Sequence, residues 1–194
     1  MAVQTYRLIK LEIESIYPSY LYSIKYDRWD ENEFDRLFLL WNDVDAVAQF
    51  MEDNSNFLKN DFWRDKIEPE DAARQVRNEA ESLEILFDEL NENTSIGQKP
   101  DFDTHFQYLE GKYKYVLEWQ PMKSYGTFRP SLLRIYAIKM EANTYLITGG
   151  GIKLADTIQN SPDLKDHILQ DIDLVRDYLK RNGIMDSDDI ENDF

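Results

Sequence analysis

The sequence predicts an α+β protein with an antiparallel sheet of about four to six strands and helices packed against it. Three observations support this class. Two β-prone segments open the chain, a helical region with a long amphipathic stretch follows, and a second series of β-prone segments ends in a last amphipathic helix. Because strands and helices are segregated rather than strictly alternating, an α+β arrangement is favoured over a parallel α/β fold.

Length and composition indicate one domain. The chain has 194 residues, of which 42% are hydrophobic, and this is enough apolar material for a compact core. We expect a single domain over residues 1–183, followed by an acidic mobile tail over residues 184–194. The sequence contains no apolar run long enough to cross a bilayer and no signal-peptide pattern, so we expect a cytoplasmic protein without membrane contact.

The N-terminal part predicts a hairpin followed by helices. Strands are expected at Tyr6–Ile13 and Tyr20–Tyr26, with a turn at Pro18-Ser19 where proline interrupts pairing. Apolar residues then recur at helical spacing and predict two short helices, with Asp43 as the N-cap of the second. The clearest helix is predicted from Pro69 to Leu90, since its apolar side chains line one face.

The C-terminal part predicts antiparallel strands and one more helix. The strands are expected at His105–Leu109, Tyr113–Trp119, Leu132–Met140 and Thr144–Thr148, with a loop over Gln120–Pro130. Ser161 is the expected cap of the last helix, with Pro162 in its first turn and Gly183 at its end.

The charge is strongly acidic but unevenly distributed. There are 22 basic and 38 acidic side chains, which gives 22 − 38 = −16 and opposes general nucleic-acid binding. The segment Lys112–Lys139 carries six cations and only Glu118 as an anion, and aromatic residues lie between the cations. Such a mixture suits phosphate contacts and base stacking on RNA. The alternative is that the lysines offset acidic helices across the fold.

Arg134 and Tyr136 should share one face of their strand, because side chains alternate. On an open face they could clamp a phosphate and transfer a proton; under a helix they would be a core-edge tyrosine and a snorkelling arginine. We predict that Leu133, Ile135 and Ala137 pack on the long helix, so that Arg134 and Tyr136 face away from it. Lys153 is expected at the rim, with the Gln120–Pro130 loop partly covering the site.

Other chemical signals are sparse. Gly149–Gly151 is interpreted as a bulge or bend that allows close approach of backbone, with an anion-holding loop as the alternative. His105 is a candidate general acid or base because the ordinary pKa of histidine lies nearest neutrality. Neither histidine lies in a metal-binding spacing, the chain has no cysteine, and no common hydrolase motif is present. No metal or cofactor is expected.

The segment RIYAIKMEANTYLITGGGIKLADTIQNSP, within Phe102–Asn182, resembles the RelE/HigB toxin superfamily. The ITGGGIKL ending also resembles a family of uncharacterised Bacteroidetes proteins. The first resemblance implies a RelE-like core with an enlarged helical N-terminal half. It also implies a toxin of a toxin-antitoxin system that cleaves RNA without metal, or a catalytically altered descendant of one. The expected partners are an antitoxin, RNA or the ribosome.

In this hypothesis Arg134 and Lys153 steady the phosphate, and Tyr136 or His105 moves the proton. Five further cations would bind RNA: Lys112, Lys114, Lys123, Arg129 and Lys139. A second hypothesis rests on the −21 that the chain carries outside its basic segment, from −16 − 5. It is a non-enzymatic interaction protein whose acidic helical faces bind a basic partner, in the manner of a nucleic-acid mimic or an anti-defence inhibitor.

Overall fold

A computed structural model describes residues 11–59, 63, 67–95, 101–113, 118–128 and 130–192. These residues form one mixed six-stranded sheet and five α-helices. The strands are β1 Leu11–Tyr17, β2 Leu21–Tyr26, β3 Phe106–Tyr108, β4 Gln120–Tyr125, β5 Leu133–Glu141 and β6 Thr144–Ile152. The helices are α1 Glu33–Asn42, α2 Val44–Asp53, α3 Pro69–Ser95, α4 Ile168–Asn182 and α5 Ser187–Asn192.

The sheet has the strand order β1-β2-β6-β5-β4-β3. The predicted α+β class is confirmed, but the sheet is mixed rather than wholly antiparallel, because β2 and β6 are parallel. The other neighbouring strands are antiparallel. A parallel pair requires a long connection, and the helical region and the three strands that follow β2 supply it.

The N-terminal hairpin forms as predicted, and its first strand continues to Tyr17, beyond the predicted end at Ile13. β1 and β2 pair around a turn at Pro18 and Ser19, where Ser19 adopts a positive φ of 67°. The turn closes with a hydrogen bond from the Tyr20 amide to the Tyr17 carbonyl. Residues 1–10, which include the start of the predicted first strand, lie outside the described residues.

One face of the sheet is covered by α1, α2 and α3. Asn32 and Asp43 cap α1 and α2, since their side chains accept hydrogen bonds from amides in the first turns, and this confirms the predicted role of Asp43. The apolar stripe of α3 and the buried side of α1 pack in a single core with Leu133, Ile135 and Ala137 of β5. The predicted orientation of β5 toward the long helix is thereby confirmed.

The opposite face is covered by α4. Val175 and Leu179 pack with Ile138 and Leu146 of the sheet, and Tyr136 lies in a neighbouring cluster with apolar residues of α4 and the turn before it. The sheet is therefore buried on both faces. Residues Leu133 to Ile138 of β5 are consequently all buried.

The segment Gln120–Tyr125 is the strand β4 and not the predicted loop. It pairs with β3 on one side and with β5 on the other. Pro121 suggested a loop because it lacks an amide donor, but its carbonyl still accepts from the Leu109 amide. Most of the predicted strand Tyr113–Trp119 cannot be compared, because residues 114–117 lie outside the described residues; at its start, Tyr113 ends a 3-10 turn over Gly111–Tyr113.

The last long helix begins later than predicted. α4 starts at Ile168, whereas Ser161 lies in a preceding turn and is not its cap. The Ser161 hydroxyl instead accepts from the Leu154 amide and donates to the Ile152 carbonyl, so it secures the end of β6. The predicted end at Gly183 is confirmed by its left-handed φ of 68°.

The structure differs from the predicted mobile tail over residues 184–194. Residues Ser187–Asn192 form α5, and Ile184 and Ile190 are buried against the sheet. The Glu191 carboxylate accepts hydrogen bonds from the hydroxyls of Ser19 and Tyr22. These two isoleucines hold the segment against the sheet. The prediction of a mobile tail weighed its acidic composition and not these apolar contacts.

The triglycine lies within β6, where neighbouring groups approach its backbone closely. A Cβ at Gly150 would lie 2.5 Å from the Arg134 carbonyl oxygen and 2.7 Å from Leu37 Cδ1. A Cβ at Gly151 would collide with the Asp163 carboxylate. The register of β6 against β5 also shifts at Thr148. The predicted close approach of backbone is therefore confirmed, whereas the glycines themselves continue the strand and the irregularity lies just before them.

A buried carboxylate attaches α3 to the start of β5. Glu79 is fully buried, and its oxygens accept from the amides of Leu132 and Leu133 at 3.0 and 3.1 Å. They also accept from Ser131 Oγ at 2.8 Å and from Gln75 Nε2 at 2.7 Å. One carboxylate therefore accepts hydrogen bonds from four donors.

Replacing Glu79 with alanine should lower the free energy of unfolding by about 3 kcal/mol, because buried donors would lose their acceptor. The matched control is Glu81→Ala, an exposed glutamate on the same helix, which should change stability by less than about 0.5 kcal/mol. Urea titration followed by circular dichroism measures both variants. Equal stabilities for the two variants would contradict the anchoring role of Glu79.

Candidate functional site

Arg134 and Tyr136 lie on the predicted side of β5 but are not exposed. The side chain of Tyr136 belongs to the core cluster that includes Leu164 and Ile168, on the face opposite α3. Their exposed fractions are 6% for Arg134 and 1% for Tyr136. Of the two alternatives left open by the sequence, the covered face is the one found.

The Arg134 side chain has local structural partners. Its Nη1 donates to the Ser131 carbonyl and Oγ, both at 3.1 Å, and to the Leu133 carbonyl at 2.6 Å. The guanidinium carbon lies 4.1 Å from the ring centroid of Tyr125, in cation-π geometry. Because Ser131 also donates to Glu79, Arg134 extends the polar network that attaches α3 to the sheet.

Tyr136 is poorly suited to proton transfer in this position. Burial raises the pKa of its hydroxyl well above the ordinary value, and the positive charge of Arg134 opposes the shift without cancelling it. A phenol with a strongly raised pKa remains protonated and gives up its proton with difficulty at neutral pH.

Lys153 is the first residue after β6. It is half-buried, and its Nζ donates to the Asp156 carbonyl at 2.8 Å. Burial, and then the positive charges of Arg134 and Lys123, lower the pKa of Lys153 to about 8, whereas Asp156 raises it. The three cations are thus close enough to influence one another electrostatically.

His105 lies apart from these residues. It follows the 3-10 turn Phe102–Thr104 and precedes β3, and β4 lies between β3 and β5. Burial lowers the pKa of its imidazole, although the negative charge of Asp101 opposes this. The structure therefore brings Arg134, Tyr136 and Lys153 to one end of the sheet but does not add His105 to them.

The predicted RNA-binding cations do not form one surface. Lys112 is paired with Asp173 at 2.5 Å, and Lys139 with Asp103 at 2.8 Å. Lys123 is half-buried on β4, with its Nζ 5.6 Å from the ring centroid of Tyr125. Lys114 and Arg129 lie outside the described residues. The three described cations therefore lie in different environments and do not form one binding surface.

A groove with a volume of about 960 Å³ lies between α1 and α3, and sequence reasoning missed it. The described residues of its lining combine aromatic and aliphatic side chains with carboxylates, and none of them is a lysine or arginine. The lining residues are Tyr17, Glu31, Phe34, Asp35, Phe38, Leu39, Asn42, Asp43, Glu84 and Asp88.

Two carboxylates lie on the α3 side of this groove, and each accepts a hydrogen bond from a neighbouring side chain. The hydroxyl of Tyr17 donates to Asp88 at 3.4 Å, and Asn42 Nδ2 donates to Glu84 at 3.3 Å. Burial and then Asp88 raise the pKa of Tyr17 to about 12. Partial burial, with Asp88 and Glu81, raises the pKa of Glu84, and the hydrogen bond from Asn42 opposes that shift. The rim therefore holds several carboxylates that repel one another.

The sequence contained a weak signal for this groove. Glu84 and Asp88 are one helical turn apart on α3, and Phe34 and Phe38 are one turn apart on α1. Neither pair alone indicates a binding site, because such spacings are common on helices. Only the packing of α1 against α3 brings the acidic pair beside the aromatic pair.

No protein family, curated protein or solved structure matches the chain. Among the described residues, no helix is long and apolar enough to cross a membrane, and no group of three or more histidine, aspartate or glutamate side chains is arranged to hold a metal ion. The geometry of the described surfaces is therefore the basis for any functional argument.

Replacing Arg134 with glutamate should lower the free energy of unfolding by about 3 kcal/mol or more, because a buried anion would replace a hydrogen-bonded cation. If Arg134 were exposed, the same substitution would leave the stability almost unchanged. Arg77→Glu, at an exposed position of α3, is the matched charge reversal and should cost little. Thermal and urea unfolding compare the two. An unchanged midpoint for Arg134→Glu would contradict its structural role.

Proposed function

We propose that the chain is a binding protein whose groove between α1 and α3 docks a basic, amphipathic polypeptide segment. One observation carries this proposal: the described residues that line the groove combine an apolar floor with five carboxylates and include no lysine or arginine. The five carboxylates belong to Glu31, Asp35, Asp43, Glu84 and Asp88. A ligand that offers both apolar and cationic side chains complements such a surface.

The apolar floor supplies a rigid contact surface. The ring of Phe34 makes edge-to-face contacts with Phe38 and Phe87, at centroid separations of 4.9 and 5.4 Å. Such aromatic contacts hold the floor in one conformation before a partner arrives. Leu39, which is 60% exposed, offers apolar area that a partner can bury. Preorganisation of this kind reduces the entropy lost on binding.

The carboxylates supply selectivity. Their field repels nucleic acid and attracts lysine and arginine side chains, and the net charge of −16 strengthens the attraction at long range. Aligned charges of this kind mainly accelerate association and exclude wrong partners. Salt should weaken the complex, because exposed charges are screened over about 8 Å at physiological ionic strength.

Metal-independent RNA cleavage, expected from the RelE/HigB resemblance, receives less support from this geometry. Arg134 and Tyr136 are buried, and His105 lies across β4 from them. Two of the cations assigned to RNA contacts are paired with carboxylates. We therefore favour the interaction protein over the nuclease.

The electrostatic part of the proposal is tested with a labelled amphipathic peptide of leucine and lysine. Neutralising the groove with Asp35→Asn and Asp88→Asn should weaken binding by roughly tenfold at low salt. The control variant, Asp166→Asn with Asp177→Asn, removes the same charge from exposed positions near and on α4 and should bind nearly as the natural sequence does. Fluorescence anisotropy measures the dissociation constants. Equal affinities for the two variants would reject the groove as the site.

The apolar part is tested separately. Leu39→Asp should weaken peptide binding by about tenfold, since it places a charge on the groove floor. Leu40→Asp adds the same charge at the adjacent position, which is outside the groove lining, and should have a much smaller effect. A peptide with glutamate in place of lysine should not bind measurably. Binding of that acidic peptide would contradict the proposed complementarity.

A further inference from the structure

The groove between α1 and α3 constrains the backbone of a docked segment as well as its side chains. Most of the described lining residues belong to these two helices, from Phe34 to Asn42 on α1 and at Glu84 and Asp88 on α3. In an α-helix each amide donates to the carbonyl four residues earlier, so the backbone of each wall is paired within the wall. The groove therefore offers a ligand mainly side chains.

The first turn of α1, where helical pairing is incomplete, does not offer free amides to a ligand either. The Phe34 amide donates to Ser23 Oγ at 2.9 Å, and the Asp35 amide donates to Asn32 Oδ1 at 3.0 Å. Tyr17 is the one strand residue among the described lining, and its carbonyl closes the turn between β1 and β2. These backbone groups are therefore not available to a docked segment.

An extended segment would be poorly accommodated by such a groove. Its amides and carbonyls would leave water without meeting partners, and unpaired buried backbone groups are strongly unfavourable. Addition of a strand requires an exposed sheet edge, which the helical walls do not provide. A helix pairs its own backbone groups and can lay one apolar face between two other helices. The groove therefore favours a helical ligand.

The two walls run antiparallel, and this defines the two ends of the groove. In the last turn of α1, Asn42 Nδ2 donates to Glu84 at 3.3 Å. In the first turn of α1, the ring of Phe34 lies 5.4 Å from that of Phe87, which is later on α3. Asp43, the residue after Asn42, therefore lies at the same end as Glu84.

Two other carboxylates lie at the end where α1 begins. The hydroxyl of Tyr17 donates to Asp88 at 3.4 Å, and its ring lies 6.4 Å from that of Phe34, the neighbour of Asp35. Asp35 and Asp43 are about 12 Å apart along α1, and the aromatic floor lies between them. Negative charge at both ends therefore flanks an apolar middle.

We propose that the docked segment is an α-helix with lysine or arginine at positions i and i+7 and large apolar residues at i+3 and i+4, an inference that rests on the proposed function. These four positions share one helix face. Positions i and i+7 are about 10.5 Å apart along the helix, which is close to the spacing of the carboxylates at the two ends. The flexible stems of lysine and arginine cover the remaining difference while they pack on the apolar floor.

The conformation is tested with two labelled peptides of equal length and the same leucine, lysine and alanine content. The helical peptide carries lysine at i and i+7 and leucine at i+3 and i+4, whereas the alternating peptide repeats leucine and lysine with the period of a strand. Fluorescence anisotropy at low salt should show the helical peptide binding at least about tenfold more tightly. Its circular dichroism should gain helical signal in the complex.

A third peptide separates helix formation from side-chain arrangement. It has the same composition as the helical peptide but exchanges the two residue types, with leucine at i and i+7 and lysine at i+3 and i+4. Both peptides form the same helix, but the exchange places cations over the apolar floor and leucines beside the carboxylates. Its affinity should therefore be at least about tenfold lower.

The variant Asp35→Asn with Asp88→Asn distinguishes a failure of the helical inference from a failure of docking itself. If the alternating or the exchanged peptide binds as tightly as the helical one, and all lose affinity for this variant, the groove docks basic segments but the helical arrangement is wrong. If the helical peptide binds the variant and the natural sequence equally, or binds neither, the proposed function fails together with this inference.

Discussion

The buried carboxylate of Glu79 is the constraint on which much of this structure depends. A carboxylate without water must receive hydrogen bonds, and the start of β5 supplies them through two amides and the Ser131 hydroxyl. α3 is thereby held at one position along β5. The Glu79 carboxylate also leaves no room for a side chain at position 126, because a Cβ at Gly126 would overlap it. Ser131 also accepts from Arg134, so the position of the helix determines the position of the guanidinium on the opposite side of the sheet.

Local sequence patterns predicted the helices and strands of this fold better than they predicted which side chains other elements cover. The stripe of α3, the cap at Asp43 and the orientation of β5 all follow from periodicity or hydrogen bonding within a few residues. The burial of Arg134 and Tyr136 does not, because alternation assigns a side chain to a face but cannot show what covers that face. α4 and the preceding turn, more than twenty residues later, provide the cover. Strand β4 was missed for a similar reason, since its two neighbours override the unfavourable Pro121.

The candidate sites were predicted to different degrees. Arg134 and Lys153 come from the adjacent antiparallel strand β5 and the end of β6, a pairing that the sequence predicted, whereas Lys123 comes from a strand that was mistaken for a loop. The groove was not predicted, because Glu84 and Asp88 lie more than forty residues after the other lining residues in the chain. On a helix considered alone, Glu84 and Asp88 are part of an ordinary solvated face. Their significance arises from tertiary packing, which a single sequence does not display.

The net charge and the groove would act on a partner over different distances. The charge of −16 attracts a cationic segment during its approach, but exposed charges are screened over about 8 Å at physiological ionic strength. In the proposed complex the groups in direct contact would matter most, and in the groove these are carboxylates beside the rings of Phe34 and Phe38. Because salt does not screen apolar contact, the rings would give the groove a selectivity that the net charge alone does not supply.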